Sequence, residues 1–271
     1  MNKEMDILRV ACVQINSGDL PEKNLQTAAQ LLACAAKGGA KLAVLPEFFP
    51  LLSADESLKL TIAEEDGRGM IQDFLRDTAQ KLGLFIIGGT IPLRASNGRV
   101  YSASQIYSDK GVRLARYDKI HLFRFAGKQG FIDEAQTIIA GQTPMTAKTP
   151  WGIIGLSVCY DLRFPELYRN MQADIISAPS AFTVETGKAH WEILLRCRAV
   201  ENLAHVIAPA QCGKHPGGRT TYGHSMIVNP WGNILAEADG NEETVLFSDI
   251  DAAARNAWRD RLPALKHRKL S

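Results

Sequence analysis

Residues 151–180 read WGIIGLSVCYDLRFPELYRNMQADIISAPS. WGIIGLSVC (151–159) is an unbroken apolar run of strand length, a helix is expected over 165–171, and DIISAPS (174–180) is apolar again. Runs without polar alternation are strands buried on both faces, and a helix between two of them gives sheets covered by helices. The same rhythm extends in both directions. ILRVACVQI (7–15), LAVL (42–45, cut off by Pro46), LFIIGGT (84–90), AHVIAPAQ (204–211), HSMIVNP (224–230) and ETVLFSDI (243–250) read as further strands. Helices are expected at Pro21–Lys37, closed by Gly38-Gly39, at Ile71–Leu82, followed by Gly83, and at Lys188–Asn202. VYSASQIYS (100–108) and VRLARYDKI (112–120) alternate and are joined by Asp109-Lys110-Gly111, which predicts a hairpin. The fold class is α/β. No Pro/Ser-rich linker, charge block or repeat marks a boundary, so one domain over 1–271 is expected, with a core at about 7–250. Residues 251–271 then form a C-terminal tail whose basic end, KHRKLS (266–271), is loose or touches another subunit.

The chain has 271 residues, 46% hydrophobic and 22% charged, which is too apolar for disorder. Lys plus Arg is 31 against 29 Asp plus Glu, and a net charge of +2 gives no case for nucleic acid or an anionic membrane as partner. No apolar stretch approaches the roughly 18 residues a membrane helix needs. The opening MNKEMDILRVACVQ carries acids and does not read as a secretory leader. Five cysteines, Cys12, Cys34, Cys159, Cys197 and Cys212, are odd in number and widely spaced, which fits free thiols in a reducing, cytoplasmic setting.

Three strands run straight into a reactive side chain: LAVLP into Glu47, VRLARYD into Lys119 and WGIIGLSV into Cys159. In layered α/β proteins, side chains just past strand ends collect in a crevice at the sheet edge. A thiol has a free pKa of about 8.5, which a nearby cation lowers. A carboxylate beside it can accept the thiol proton and later hand it to a leaving group, while an ammonium stabilises an oxyanion. Singly, each residue has a plainer reading: a turn glutamate, a lysine snorkelling to solvent, a cysteine acting as a small buried hydrophobe.

The strings around these residues change that balance. LAVLPE (42–47), YDKIHLF (117–123), CYDLRFPELYR (159–169) and YGHSMIVNPWG (222–232) resemble, in order, the nitrilase or carbon–nitrogen hydrolase superfamily. The resemblance runs from about residue 7 to residue 250. It implies a four-layer αββα sandwich and a Glu-Lys-Cys triad at Glu47, Lys119 and Cys159, with Glu134, in FIDEAQTIIAG, as a second glutamate after the lysine. Enzymes acting on true nitriles usually have Trp-Glu after the cysteine, whereas Tyr160-Asp161 resembles the amidase-type Nit branch. Within that branch, PSAFTVETGKAHWEILLRCRAVEN (179–202) and PAQCGKH (209–215), followed by Arg219 and YGHS, are most similar to amidases of deaminated glutathione. The related ω-amidases usually lack the AQCGKH-type segment.

The expected reaction is hydrolysis of a linear carboxamide to an acid and ammonia through a Cys159 thioester, with the Tyr160 backbone N–H and Lys119 at the oxyanion. Arg163 is expected either to face the cleft and pair with a substrate carboxylate or to form an ion pair with Asp161 or Glu166. Phe182 and Thr186 follow a strand and are expected to line the same crevice. Cys197, His205, Cys212 and His215 match no compact zinc spacing, and Gly88-Gly89 and Gly217-Gly218 match no phosphate loop, so no metal, cofactor or nucleotide is expected. Rival readings are an ω-amidase, a carbamoyl-amide hydrolase, a thiol-redox protein, for which no CxxC speaks, and a non-catalytic scaffold, against which the intact triad argues. The resemblance also implies a homodimer stacking two sandwiches into eight layers. The helices 165–171, through Leu167, and 188–202 are expected at its two-fold axis.

Overall fold

The computed structural model describes residues 7–128 and 130–269. The opening MNKEMD and the last two residues of KHRKLS lie outside the described residues. The strands are, in chain order, β1 (Ile7–Gln14), β2 (Leu42–Val44), β3 (Phe85–Ile87), β4 (Ile91–Arg94), β5 (Val100–Tyr107), β6 (Arg113–Asp118), β7 (Arg124–Gly127), β8 (Gly130–Asp133), β9 (Met145–Thr149), β10 (Gly152–Leu156), β11 (Ile175–Ser177), β12 (His205–Ala208), β13 (Cys212–Lys214), β14 (Thr220–Tyr222), β15 (Met226–Val228), β16 (Ile234–Glu237) and β17 (Thr244–Asp251). The helices are α1 (Pro21–Lys37), α2 (Leu58–Thr61), α3 (Met70–Leu82), α4 (Pro165–Met171), α5 (Val184–Asn202) and α6 (Ala252–Arg261).

Two sheets carry the fold. One has the order β17-β1-β2-β3-β5-β4 with β6 on β5, and the other β16-β15-β12-β11-β10-β9. The centre of each is parallel, β1-β2-β3 and β10-β11-β12, because helices cross between those strands. Strand alternation splits the apolar residues of β1 between two layers. Leu8, Val10 and Cys12 point into the core shared by the two sheets, whereas Ala11, Val13 and Ile15 meet α1 and α3 outside. On the α1 side Leu25, Ala28, Leu32 and Ala35 recur at helical spacing and are buried. On the far side Trp191, Leu195 and Ala199 of α5 close over the second sheet. The result is the four-layer αββα sandwich.

The expected hairpin forms, with β5 and β6 antiparallel. Three details differ from the sequence reading. α5 begins at Val184, because the Thr183 side chain caps it by accepting the Thr186 N–H at 3.2 Å. Leu167 and Tyr168 of α4 are buried within the protomer and form no outer face. The C-terminal segment contains α6, whose Arg259 donates to Asp174 Oδ1 at 2.6 Å and to the Leu203 carbonyl at 3.0 Å.

Candidate active site

β2 ends at Val44 and the chain turns through Leu45-Pro46 into Glu47. The Leu45 N–H donates to Ile87 O at 2.9 Å, the Phe48 N–H to Thr90 Oγ1 at 2.9 Å, and Gln211 Nε2 to the Glu47 carbonyl at 3.0 Å. Only glycine fits at position 89, since a Cβ there would lie 1.9 Å from the Pro46 carbonyl oxygen. Phe48 takes φ 56°, a left-handed conformation rare for a side chain of this bulk.

Lys119 follows β6, its N–H donating to Ser102 O at 3.0 Å and its carbonyl accepting from Gly141 N–H at 2.9 Å. Its side chain is fully buried. Nζ donates to Glu47 Oε1 at 2.8 Å and to Glu134 Oε1 and Oε2 at 2.9 and 2.8 Å. Glu134 is fixed in turn by the Phe123 N–H, which donates to Oε2 at 2.7 Å.

Cys159 follows β10 and opens a short 3-10 turn, Cys159–Arg163, at φ 49°. Its own N–H donates to Pro179 O at 2.9 Å, which leaves the Tyr160 N–H as the next amide along the turn. Asp161, buried beneath, takes four hydrogen bonds. Oδ2 accepts from the Val158 N–H at 2.8 Å and the Tyr117 hydroxyl at 2.7 Å; Oδ1 accepts from the His121 N–H at 3.2 Å and meets His121 Nδ1 at 2.7 Å. Tyr117 and His121 flank Lys119, so this one carboxylate ties the cysteine turn of the second sheet to the lysine segment of the first.

Burial penalises every charge here, and the neighbours decide the outcome. Burial raises the Glu47 carboxyl above its usual range despite the pull of Lys119, and the Glu134 charge adds to the rise. Burial alone would depress the Lys119 ammonium, but Glu134 and Glu47 outweigh it and hold it well above the lysine range. The Cys159 thiol is pushed well up by burial and by the Glu47 charge, more than Lys119 pulls it down. The cation lowers the thiol pKa as expected, but burial and the Glu47 charge outweigh it. The Cys159 side chain lies within hydrogen-bond reach of the Glu47 carboxyl.

Glu47, Glu134, Cys159, Tyr160, Arg163, Phe182 and Thr186 all border one pocket of ≈ 290 Å³ of empty space. Arg163 does not pair with Asp161, whose oxygens are occupied as above. Its guanidinium lies 5.8 Å from the ring centroids of both Tyr160 and Phe182, and Nη2 meets His190 Nδ1 at 3.2 Å. Phe182 packs edge-on against Trp191 at 5.0 Å, and the Thr186 hydroxyl lies 2.9 Å from that of Thr183. Sequence reasoning missed three contributors: the Asp161 brace, Phe123 in the pocket wall and Arg219 opposite. A buried aspartate two residues past the cysteine was a readable signal for the first. The other two lie in or beside the strings quoted above, but only tertiary contacts bring them to the pocket.

The carbon–nitrogen hydrolase family profile matches residues 9–260. The chain belongs to the carbon–nitrogen hydrolase family. It is similar to the "Deaminated glutathione amidase" of Synechocystis, with 40% identity covering 95% of this chain and 97% of the relative. Among solved structures it resembles the NitFhit protein of C. elegans at a TM-score of 0.90 and 32% identity, covering 97% of this chain and 65% of that longer one. It also resembles Nit3 of Saccharomyces cerevisiae, a member of branch 10 of the nitrilase superfamily, at a TM-score of 0.88 and 30% identity over 98% of this chain and 97% of that one. This carbon–nitrogen hydrolase is an enzyme acting on amides. No described helix is long and apolar enough to cross a membrane.

Proposed function

We propose that the enzyme hydrolyses the amide of deaminated glutathione through a thioester on Cys159, with Glu47, Lys119 and Cys159 as its catalytic residues. The observation that carries this reading is the meeting of two carboxylates and a thiol at one small pocket, with a fully buried ammonium paired to both carboxylates. Glu47 takes the Sγ proton as sulfur bonds to the amide carbon. The oxyanion is held by Lys119 and the Tyr160 N–H. As the tetrahedral adduct collapses, the C–N bond breaks and Glu47 protonates the departing nitrogen, leaving the thioester. Glu47 then takes a proton from water, whose oxygen bonds to the acyl carbon; the C–S bond breaks and the sulfur regains a proton. A raised Glu47 pKa suits it to both directions of transfer. Glu134 positions Lys119. The nitrogen of this substrate belongs to a cysteinyl residue, so an amine leaves; a primary carboxamide would release ammonia. Arg163 takes a substrate carboxylate, and Phe182 and Thr186 shape the wall beside it.

The reading extends to a single domain acting in the cytoplasm as a homodimer. Five unpaired cysteines support a reducing compartment. Ile193 and Val200 on α5, 62% and 47% exposed, with Trp231 beside them at 50%, support a second copy docking on that face.

The test is to incubate the protein with deaminated glutathione, 2-oxoglutaramate and an N-carbamoyl amino acid, following products and the intact mass. Deaminated glutathione should be consumed fastest, adding a 2-oxoglutaryl mass to Cys159, and Cys159→Ala should lose both turnover and adduct. Substantial turnover by Cys159→Ala would overturn the scheme.

A further inference from the structure

Arg219 precedes β14 and is held by its backbone, whose carbonyl accepts the His215 N–H at 2.8 Å. Its side chain is 10% exposed and borders the pocket that holds Cys159. Nη1 donates to Glu56 Oε1 at 2.9 Å, and the guanidinium lies 5.9 Å from the Phe48 ring centroid, directly after Glu47. Nε is buried and has no hydrogen-bond partner. A buried donor left unmade is costly, and nearly all such groups in folded proteins find an acceptor. The tether to Glu56 fixes the plane of the guanidinium and leaves the side carrying Nε without a protein acceptor. That side is the one a carboxylate takes with two parallel hydrogen bonds.

The charges point the same way. Glu56 is shared between Arg219 and the buried Lys59, so two cations meet one anion. The group keeps one net positive charge in a poorly solvated place, which favours an anion arriving from outside. Lys119, by contrast, already faces two carboxylates and has no such need. Arg219 also borders an adjoining open crevice together with Glu56, Phe131 and Gly217, so it stands where a ligand longer than the pocket would pass.

We propose that Arg219 is a substrate-binding residue whose Nε side takes a carboxylate of the amide substrate, with Glu56, itself paired to Lys59, holding it in position. The proposal rests on the amidase reading for the nature of the ligand and adds a second carboxylate contact opposite Arg163. A carboxylate could reach Arg219 from the acyl half of the substrate or from its leaving half, and the test separates them.

The probes are product-like ligands that need no turnover. Binding of glutarate is compared with pentanoate, and binding of cysteinylglycine with its C-terminal amide, to the wild-type protein and to Arg219→Gln and Arg219→Lys. The wild type should prefer the carboxylate-bearing member of at least one pair by about 10- to 100-fold, Arg219→Gln should cut the preference in one pair by about tenfold or more, and Arg219→Lys should keep part of it. A preference that falls in Arg219→Gln in the glutarate pair assigns the acyl half to Arg219; one that falls in the cysteinylglycine pair assigns the leaving half. Preferences unchanged in Arg219→Gln, or a loss equal for both members of a pair, would overturn the proposal, the second outcome marking a merely structural wall. Thermal unfolding of each variant shows whether it is folded. Acyl trapping on Cys159 tests the amidase reading separately, so either can fail without the other.

Discussion

The two halves of the sandwich repeat one plan, three parallel strands with helical crossovers between them, and finish it differently. In the half built on β1, β2 and β3, α1 and α3 turn Glu22, Lys23, Gln26 and Gln30, and Arg76, Asp77, Gln80 and Lys81, toward solvent. In the half built on β10, β11 and β12, α5 turns Ile193, Cys197 and Val200 outward along one line. The chemistry divides along the same boundary. The first half supplies the ions, Glu47 and Lys119, and the second supplies the thiol. The comparison teaches that the halves are interlocked: the cysteine turn of one is held through Asp161 by Tyr117 and His121 of the other.

The largest test removes what balances the charged half. Lys119→Met leaves Glu47 and Glu134 buried without their shared cation, so amide turnover should vanish and stability should fall by about 3–5 kcal/mol in urea unfolding. A stable, active Lys119→Met protein would mean the ion cluster is dispensable. A smaller effect is expected from the brace between halves. In Asp161→Asn one acceptor oxygen becomes a donor facing other donors, which should cost about 1–3 kcal/mol. Displacement of Cys159 should also slow turnover by about tenfold or more. Wild-type values on both counts would show that the halves are not coupled through this residue. Smallest in stability, and directed at the outer faces, is Ile193→Asp. It should change protomer stability by only about 0.5 kcal/mol while light scattering shows a monomer, whereas Gln26→Asp on α1 leaves the dimer intact. A wild-type monomer, or an Ile193→Asp dimer, would remove the second copy as the cover of α5.

Much of this was legible in residue order. The apolar runs at 152–156, 175–177 and 205–208 are strands because both their faces are buried, and Asp109-Lys110-Gly111 does join a hairpin. The convergence of Glu47, Lys119 and Cys159 followed from strand ends meeting at one edge, helped by the strings around them. What stayed hidden has physical reasons. β7 and β8 form a small hairpin whose half-exposed residues carry no clear alternation. α4, seven residues long, is too short to show which face is apolar, so Leu167 and Tyr168 read as exposed although they are buried. The net rise of the thiol pKa stayed hidden because residue types reveal the charges around a sulfur but not how completely water is excluded from it. Arg219 is brought to the pocket by a loop whose path depends on Glu56 and Phe48, far from it in sequence.

Phe48 and Cys159 both stand at left-handed φ, one directly after Glu47 and the other in the proposed role of nucleophile. Such conformations cost on the order of 1–3 kcal/mol each for residues bearing a Cβ, and glycine adopts them freely. A copy of this fold relieved of its chemistry would therefore drift toward glycine at 48 and 159 and become sturdier as it did so. Disuse has a recognisable spelling in this scaffold, and the chain does not carry it.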